Sequence, residues 1–234
     1  MVALDPASFE RIVFFTGAGM SAESGVPTYR GHGGVWKQYN WEEYACQDAF
    51  DRDPEKVMEF HEVRRKSVLA CPPHEGHRVI ARLEMNHPGI TVVTQNIDGM
   101  HQRAGSRNIL ELHGSLWRLR CPIHGVFEDT GETYERFRCE HCDSRLRPDI
   151  VWFGDSLDPE VIRLSVEAIA RCNLFISIGT SGVVWPAAGY PEIARKNGAL
   201  CIEINPEPNP MSHLYDEAVR LPAGEALPVL FSNR

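Results

Sequence analysis

Apolar positions along the chain fall into two patterns. Residues 12–15, 90–93, 174–178 and 200–204 are short apolar runs, each followed by a turn rich in Gly, Asn, Thr or Ser. Runs of that length with little alternation are the mark of strands buried on both faces. Between them lie longer stretches with helical spacing. Asp53-Pro54-Glu55 predicts a capped helix start, and the helix is expected to run to about Ala70, before Pro72-Pro73. Val57, Phe60, His61, Arg64 and Val68 share one face of it. Asp158-Pro159-Glu160 predicts a second capped helix, with apolar positions Val161, Ile162, Leu164, Val166, Ala168 and Ile169, and Pro186-Ala187-Ala188 is expected to begin a third. The run from Arg147 to Asp155 reads as extended and β-prone. Strands and helices in alternation predict an α/β fold with a doubly wound, mostly parallel, Rossmann-like sheet.

Composition narrows the setting. A chain of 234 residues suits one large domain or one domain with an insertion. With 24 basic and 32 acidic residues the net charge is −8, which disfavours bulk nucleic-acid binding and suits basic partners such as lysine-rich segments. No apolar run is long enough to span a bilayer, so no membrane association is expected. The start, MVALDPASFER, lacks the basic and apolar regions of a signal peptide. Seven cysteines, two of them in a C-x-x-C, fit a reducing, cytoplasmic compartment and a metal better than a disulfide framework.

Candidate chemistry gathers at the strand ends. The first strand runs into Thr16-Gly17-Ala18-Gly19-Met20-Ser21-Ala22, where the glycines would let backbone approach a pyrophosphate and a helix opening near Ser21 would aim amides at it. The third glycine falls at 25, so the dinucleotide fingerprint is not met, and a tight βα turn accounts for the stretch equally well. Prolines and glycines through Pro27, Gly31, Gly33 and Gly34 suggest a lid, in which Arg30 either clamps a ligand or pairs on the surface. The second strand ends in Gln95-Asn96-Ile97-Asp98, and His113 stands before Gly114. His113 is the one obvious general base there, against a packing role of equal weight. Gly179-Thr180-Ser181 is a second small-residue turn suited to phosphate or ribose, and Asn205 a candidate for a ribose hydroxyl. His61 and Arg64 interrupt an apolar stripe, as a satisfied core histidine with a snorkelling arginine or as a basic pair facing an acidic group. Cys121-x-x-His124 and Cys139-x-x-Cys142, fourteen residues apart, suit a closed, structural zinc site. The other histidines near these motifs, His74, His77, His87 and His101, read as structural or surface, and Cys46, Cys71, Cys172 and Cys201 as buried small apolar residues.

Several of these stretches, taken in order, resemble the signature motifs of the sirtuins, NAD-dependent protein lysine deacylases: GAGMSAESGVPTYRG, TQNIDGMHQRAG, ELHGS, CPIHG with CEHC, RPDIVWFGD, GTSGVVWPAA and EINPE. The resemblance covers the chain from about Ile12 to Pro228. It implies a large Rossmann-like part (about 1–32, 75–115 and 155–234) and a small part built from a helical insert (33–74) and a zinc module (116–154). It implies NAD as co-substrate, held by Gly17, Ala18, Gly19, Ser21, Ala22, Tyr29, Arg30, Trp36, Gln95, Asn96, Ile97, Asp98, Gly179, Thr180, Ser181, Asn205, Pro206, Glu207 and Ala223. His113, Asn96 and Asp98 are then catalytic, and an acylated-lysine peptide lies as an added strand along Val151, Trp152, Phe153 and Gly154. The implied chemistry is attack of the acyl oxygen on C1′ of the nicotinamide ribose, loss of nicotinamide, and His113-assisted attack of the 2′-oxygen on the imidate carbon, which with uptake of one water gives free lysine and 2′-O-acyl-ADP-ribose. Ala45 and Arg64 match positions that mark sirtuins acting on acidic acyl groups, with His61 where those have Tyr, a donor expected to work best when protonated. The zinc set departs from four cysteines at His124, and Asp155 stands where Glu is usual. An NAD glycohydrolase or ADP-ribosyltransferase, and a non-catalytic NAD- or zinc-binding module, are the competing readings.

Overall fold

The computed structural model describes residues 3–29 and 33–232; Arg30, expected in the cofactor site, lies outside the described residues. Six strands form one sheet: β1 (Ile12–Thr16), β2 (Ile90–Thr94), β3 (Ile109–Glu111), β7 (Leu174–Ile178), β8 (Leu200–Ile204) and β9 (Glu217–Val219), in the order β3-β2-β1-β7-β8-β9. Every pairing is parallel. Side chains alternate between the two faces. Ile12 and Phe14 of β1 pack with Ile80 and Leu83 of the Glu75–Asn86 helix and Leu227 of the Ala223–Leu230 helix. Val13 and Phe15 pack on the other face with Ile169 of the Pro159–Arg171 helix and Ala194 of the Tyr190–Lys196 helix. Both faces are thus covered, which is what lets these strands be apolar throughout.

Local signals set the helix boundaries. Asp53 accepts the Lys56 N–H at 3.1 Å and Pro54 occupies the first turn, so the helix runs Pro54–Leu69. Asp158 does the same for Pro159–Arg171. No α-helix begins at Pro186: Ala187–Gly189 is a 3₁₀ turn, and the α-helix starts at Tyr190 with Pro191 in its first turn, where a missing N–H costs nothing.

A second, antiparallel sheet of three strands, β5-β4-β6, comprises β4 (Gly114–Cys121), β5 (Gly125–Glu128) and β6 (Arg147–Ile150). The extended run expected from Arg147 to Asp155 is a paired strand only as far as Ile150. Beyond it Asp155 accepts the Trp152 N–H at 3.1 Å and returns its own N–H to the Trp152 carbonyl, with Gly154 at φ +90°, so the chain turns. The small sheet and the helical segments before residue 70 share one core, in which Phe50, Val57 and Met58 meet Leu116, Leu119 and Trp152. Of the cysteines expected to be buried, Cys172 and Cys201 are; Cys46 and Cys71 keep partial exposure, because each sits at a helix end. No described helix is long and apolar enough to cross a membrane.

Arg65 and Asp129 clamp the helix to the small sheet. The pair is 2.7 Å apart with side chains 0% and 2% exposed, and the guanidinium lies 4.3 Å from the Tyr134 ring centre. Removing one partner strands the other charge away from water, at a cost of about 3–5 kcal/mol. Asp129→Ala should therefore lose about that much in urea unfolding, and Arg65→Met with Asp129→Leu should lose much less. A loss under ~1 kcal/mol for the single variant would contradict the clamp.

Candidate active site

In this strand order the chain leaves β1 for β2 on one side while β7 leads to β8 on the other, which opens a crevice at the carboxyl ends of β1 and β7. Two turns meet there. Gly17 donates to Ile178 O and Gly19 to Gly179 O, both at 2.9 Å. A Cβ on Gly17 would stand 2.8 Å from Gly179 O, and one on Gly19 2.7 Å from Gly179 Cα. The glycines are needed for one turn to touch the other, whatever ligand they also meet. The β8 turn is tied in by Asn205 and Asn209, whose amides donate to Thr180 O at 2.9 and 3.2 Å.

A cleft of about 710 Å³ opens above these turns. Its wall includes Gly17, Ala18, Gly19, Gln95, Asn96, Ile97, His113, Gly179, Thr180, Ser181, Asn205 and Glu207 on the side of the large sheet. Across from them stand Tyr29, Trp36, Ala45, His61, Arg64, Val151, Trp152, Phe153 and Gly154. Asp98 lines a side pocket with Ala18, Tyr29, Arg64, Asn96 and Ile97. Ser21, Ala22, Pro206 and Ala223 are off the described wall. Ser21 is buried beneath it and receives the Asn96 amide at 3.4 Å, Ala22 and Pro206 face outward, and Ala223 is buried in the first turn of its helix. Trp185, 67% exposed, is on the wall as part of the GTSGVVWPAA stretch, and Asn209 is on it with no sequence signal that would single it out.

The end of β2 is held from below. Thr16 Oγ1 donates to Thr94 Oγ1, and Thr94 Oγ1 accepts the Asn96 N–H. The Asn96 amide NH₂ is committed to Gly17 O at 3.0 Å and to Ser21, so its carbonyl oxygen is the group left to offer a ligand. Asp98 is buried and accepts Met100 N–H at 2.9 Å. Burial raises its carboxyl pKa, while the Met100 amide, the Ser21 hydroxyl and the Arg64 charge pull it back. His113, half-buried, has Nδ1 2.9 Å from the Gln95 carbonyl. A carbonyl can only accept, so Nδ1 carries the proton and Nε2 the lone pair, the tautomer a base requires. The His113 carbonyl in turn accepts Val151 N–H at 3.0 Å.

At the other end of the cleft His61 departs from expectation. It is 4% exposed, and its Nε2 accepts the Trp152 indole N–H at 2.9 Å. Burial, with the nearby Arg64, Arg147 and Arg65 charges, pushes its pKa down to about 3. The ring is neutral, with its proton on Nδ1, and does not act as a cationic donor. His61 Nδ1 and Arg64 Nε are buried without a partner.

Cys121, His124, Cys139 and Cys142 bring their ligand atoms within 4.8 Å of one another. Cys121 Sγ is 3.5 Å from Cys142 Sγ and 3.8 Å from His124 Nδ1, and Cys139 Sγ is 3.5 Å from His124 Nδ1. A tetrahedron with Zn–S bonds of about 2.3 Å has S···S edges of roughly 3.8 Å. The four donors fit a zinc ion, which would cross-link the ends of the small sheet. The Cys142 thiol is already pulled down to about 6, first by the hydrogen bond with Ser144.

These features define a class: an α/β enzyme with a nucleotide crevice at a parallel-sheet switch point and a zinc-clipped insert forming the opposite wall. Residues 17–186 match the model of the Sir2 family. The chain is 46% identical over 226 residues (96% of this chain, 91% of the relative) to NAD-dependent protein deacylase 2 of Pyrobaculum aerophilum. It is 43% identical over 213 residues (88% and 87%) to an NAD-dependent protein deacylase of Aquifex aeolicus. Among solved structures it is similar to a Sir2 homologue complexed with ADP-ribose, with TM-score 0.90, 40% identity and 97% and 92% of the two chains covered. It is also similar to a Sir2 protein holding a deacetylated p53 peptide and 3′-O-acetyl-ADP-ribose, with TM-score 0.84, 29% identity and 97% and 94% covered. The chain belongs to the Sir2 family, the sirtuins.

Buried neutral histidines make stability acid-sensitive. His61 and His101 are held down to about 3, and His77 is lowered too, in each case chiefly by burial. Their folded pKa values lie below the unfolded value of about 6.5. The neutral forms therefore contribute stability that is present above pH ~6.5 and is lost as pH falls toward ~3, because unfolding takes up protons. Replacing His101 by Gln should make the fall of unfolding free energy between pH 6 and 4.5 shallower by about 1.4 kcal/mol per pH unit, one proton's worth. An unchanged slope in urea titrations would contradict this.

Proposed function

We propose that this protein is an NAD-dependent protein lysine deacylase that works in the cleft just described. The observation that carries the reading is His113: its Nδ1 proton is spent on Gln95 O, which sets Nε2 as a base beside Asn96, directly tied to the segment that starts at Val151. Bound NAD supplies an electrophilic ribose carbon and nicotinamide as the leaving group. The residues do the rest. Asn96 directs its amide oxygen to a ribose hydroxyl or water, and Asp98 accepts from the nicotinamide carboxamide in the side pocket. His113 Nε2 takes the proton of a ribose hydroxyl, and the walls exclude water from a reaction that depends on positioning. The names of the relatives and the ligands of the solved neighbours support the activity.

An acylated-lysine peptide lies along Val151, Trp152, Phe153 and Gly154, with its acyl group toward Ala45, His61 and Arg64. A buried donor without an acceptor at that end, Arg64 Nε–H, supports an acyl group that ends in acceptor oxygens, a carboxylate above all. The large part (about 1–32, 75–115, 155–234) holds NAD, and the small part (33–74 and 116–154) closes the cleft. Seven free cysteines support a reducing, cytoplasmic setting.

Nicotinamide release from NAD with acetyl- and succinyl-lysine peptides tests the reading. Release should require an acylated peptide, and His113→Ala should lower it by about a hundredfold or more. Arg64→Met should lower the succinyl-to-acetyl rate ratio about tenfold or more. Release without any peptide would move the protein to the glycohydrolase reading.

A further inference from the structure

We propose that His61 and Trp152 form a latch fixing the wall between the acyl pocket and the peptide-binding segment, so that His61 is a positioning residue for the peptide rather than a reader of the acyl group. The inference rests on the reading of Val151–Gly154 as the peptide-binding segment.

Trp152 is the pivot of that segment. Its indole N–H can only donate, and His61 Nε2 is the acceptor at 2.9 Å. Its side chain is buried, with the Arg147 guanidinium carbon 3.6 Å from the ring centre on one side and the Phe50 ring at 5.6 Å. Arg147 also grips the chain on both sides of the tryptophan, donating to Ile150 O at 2.8 Å and to Asp155 Oδ2 at 2.6 Å. The main chain next to the pivot makes the contacts that matter for the reaction. Val151 N–H reaches the carbonyl of His113, and Phe153 N–H reaches that of Ala45, both at 3.0 Å. Where the indole stands therefore decides where the strand-forming backbone stands relative to the base. A hydrogen bond between side chains 91 residues apart joins the helix bearing His61 and Arg64 to the segment bearing the peptide. Losing it leaves a donor buried with nothing to accept it and frees the wall to shift.

The test uses the full zinc-loaded chain with saturating NAD, and acetyl- and succinyl-lysine peptides of one sequence. His61→Leu removes the acceptor, Trp152→Phe removes the donor, and His61→Gln restores an acceptor through its amide oxygen. If the latch positions the peptide, His61→Leu and Trp152→Phe raise KM for both peptides by roughly tenfold and to the same extent. Their kcat stays within about twofold and the KM for NAD is unmoved, a split that simple loss of stability does not produce. His61→Gln falls near wild type, and the Leu/Phe double variant is no worse than either single one, as expected for two halves of one interaction. Should His61→Leu not fold, His61→Asn, whose shorter amide falls short of the indole, takes its place with the same expected pattern. The proposal is overturned if the His61 variants leave the acetyl-peptide KM at the wild-type value and change only the succinyl-to-acetyl ratio, or if His61→Gln is as impaired as His61→Leu. A wild type that releases no nicotinamide with any acylated peptide overturns the deacylase reading itself, and the latch's role with it.

Discussion

Gly19 donates its N–H to the carbonyl of Gly179, and no side chain fits between the two turns. That contact sets how close the carboxyl ends of β1 and β7 lie, and the cleft is built outward from it. A parallel sheet leaves its strand-end turns on one side, and the reversal of strand order at β1 and β7 leaves a gap between them. The third turn, after β2, is brought in by the buried Thr16–Thr94 hydrogen bond, which also receives Asn96 N–H. The fourth, after β8, is drawn onto Thr180 O by Asn205 and Asn209. A buried carboxylate, Glu203, anchors it through Asn209, Ser212 and Arg220. Four turns from four strands therefore converge without any one of them being long.

The opposite wall has a different origin. The helix Pro54–Leu69 and the small antiparallel sheet come from separate stretches of chain, and they share an apolar core and the buried Arg65–Asp129 pair. The zinc ligands sit at the far end of that sheet, away from the cleft residues, which suits an ion that shapes the wall rather than one that meets the substrate. The Val151 amide on the His113 carbonyl then ties this wall to the base, and the indole of Trp152 on His61 ties two parts of the wall to each other.

Much of this was legible in the sequence, and the part that was not has a physical cause. Strands β1, β2, β7 and β8 could be read because burial on both faces leaves little room for polar residues. Strands β3 and β9 are three-residue edge strands with partial exposure, and their sequences carry no such signature. In β4, Arg118 and Arg120 look like surface residues until Asp149 is brought alongside them from 31 and 29 residues away. At the site, Gln95 to Asp98 and His113 stood out because polar residues at a strand end are conspicuous. Glu203 did not, since it sits within an apolar run and its partners lie in the following loop and beyond. His61 was visible as a polar residue on an apolar stripe, but its charge state depends on Trp152, and no local pattern records that pairing.

Product identity is the most direct measurement of whether the cleft transfers an acyl group to ADP-ribose. Mass analysis of a single turnover, with a succinyl- or acetyl-lysine peptide and NAD, should give free-lysine peptide, nicotinamide and acyl-ADP-ribose in equal amounts. Free carboxylic acid with intact NAD, or ADP-ribose formed while the peptide keeps its acyl group, would contradict the account.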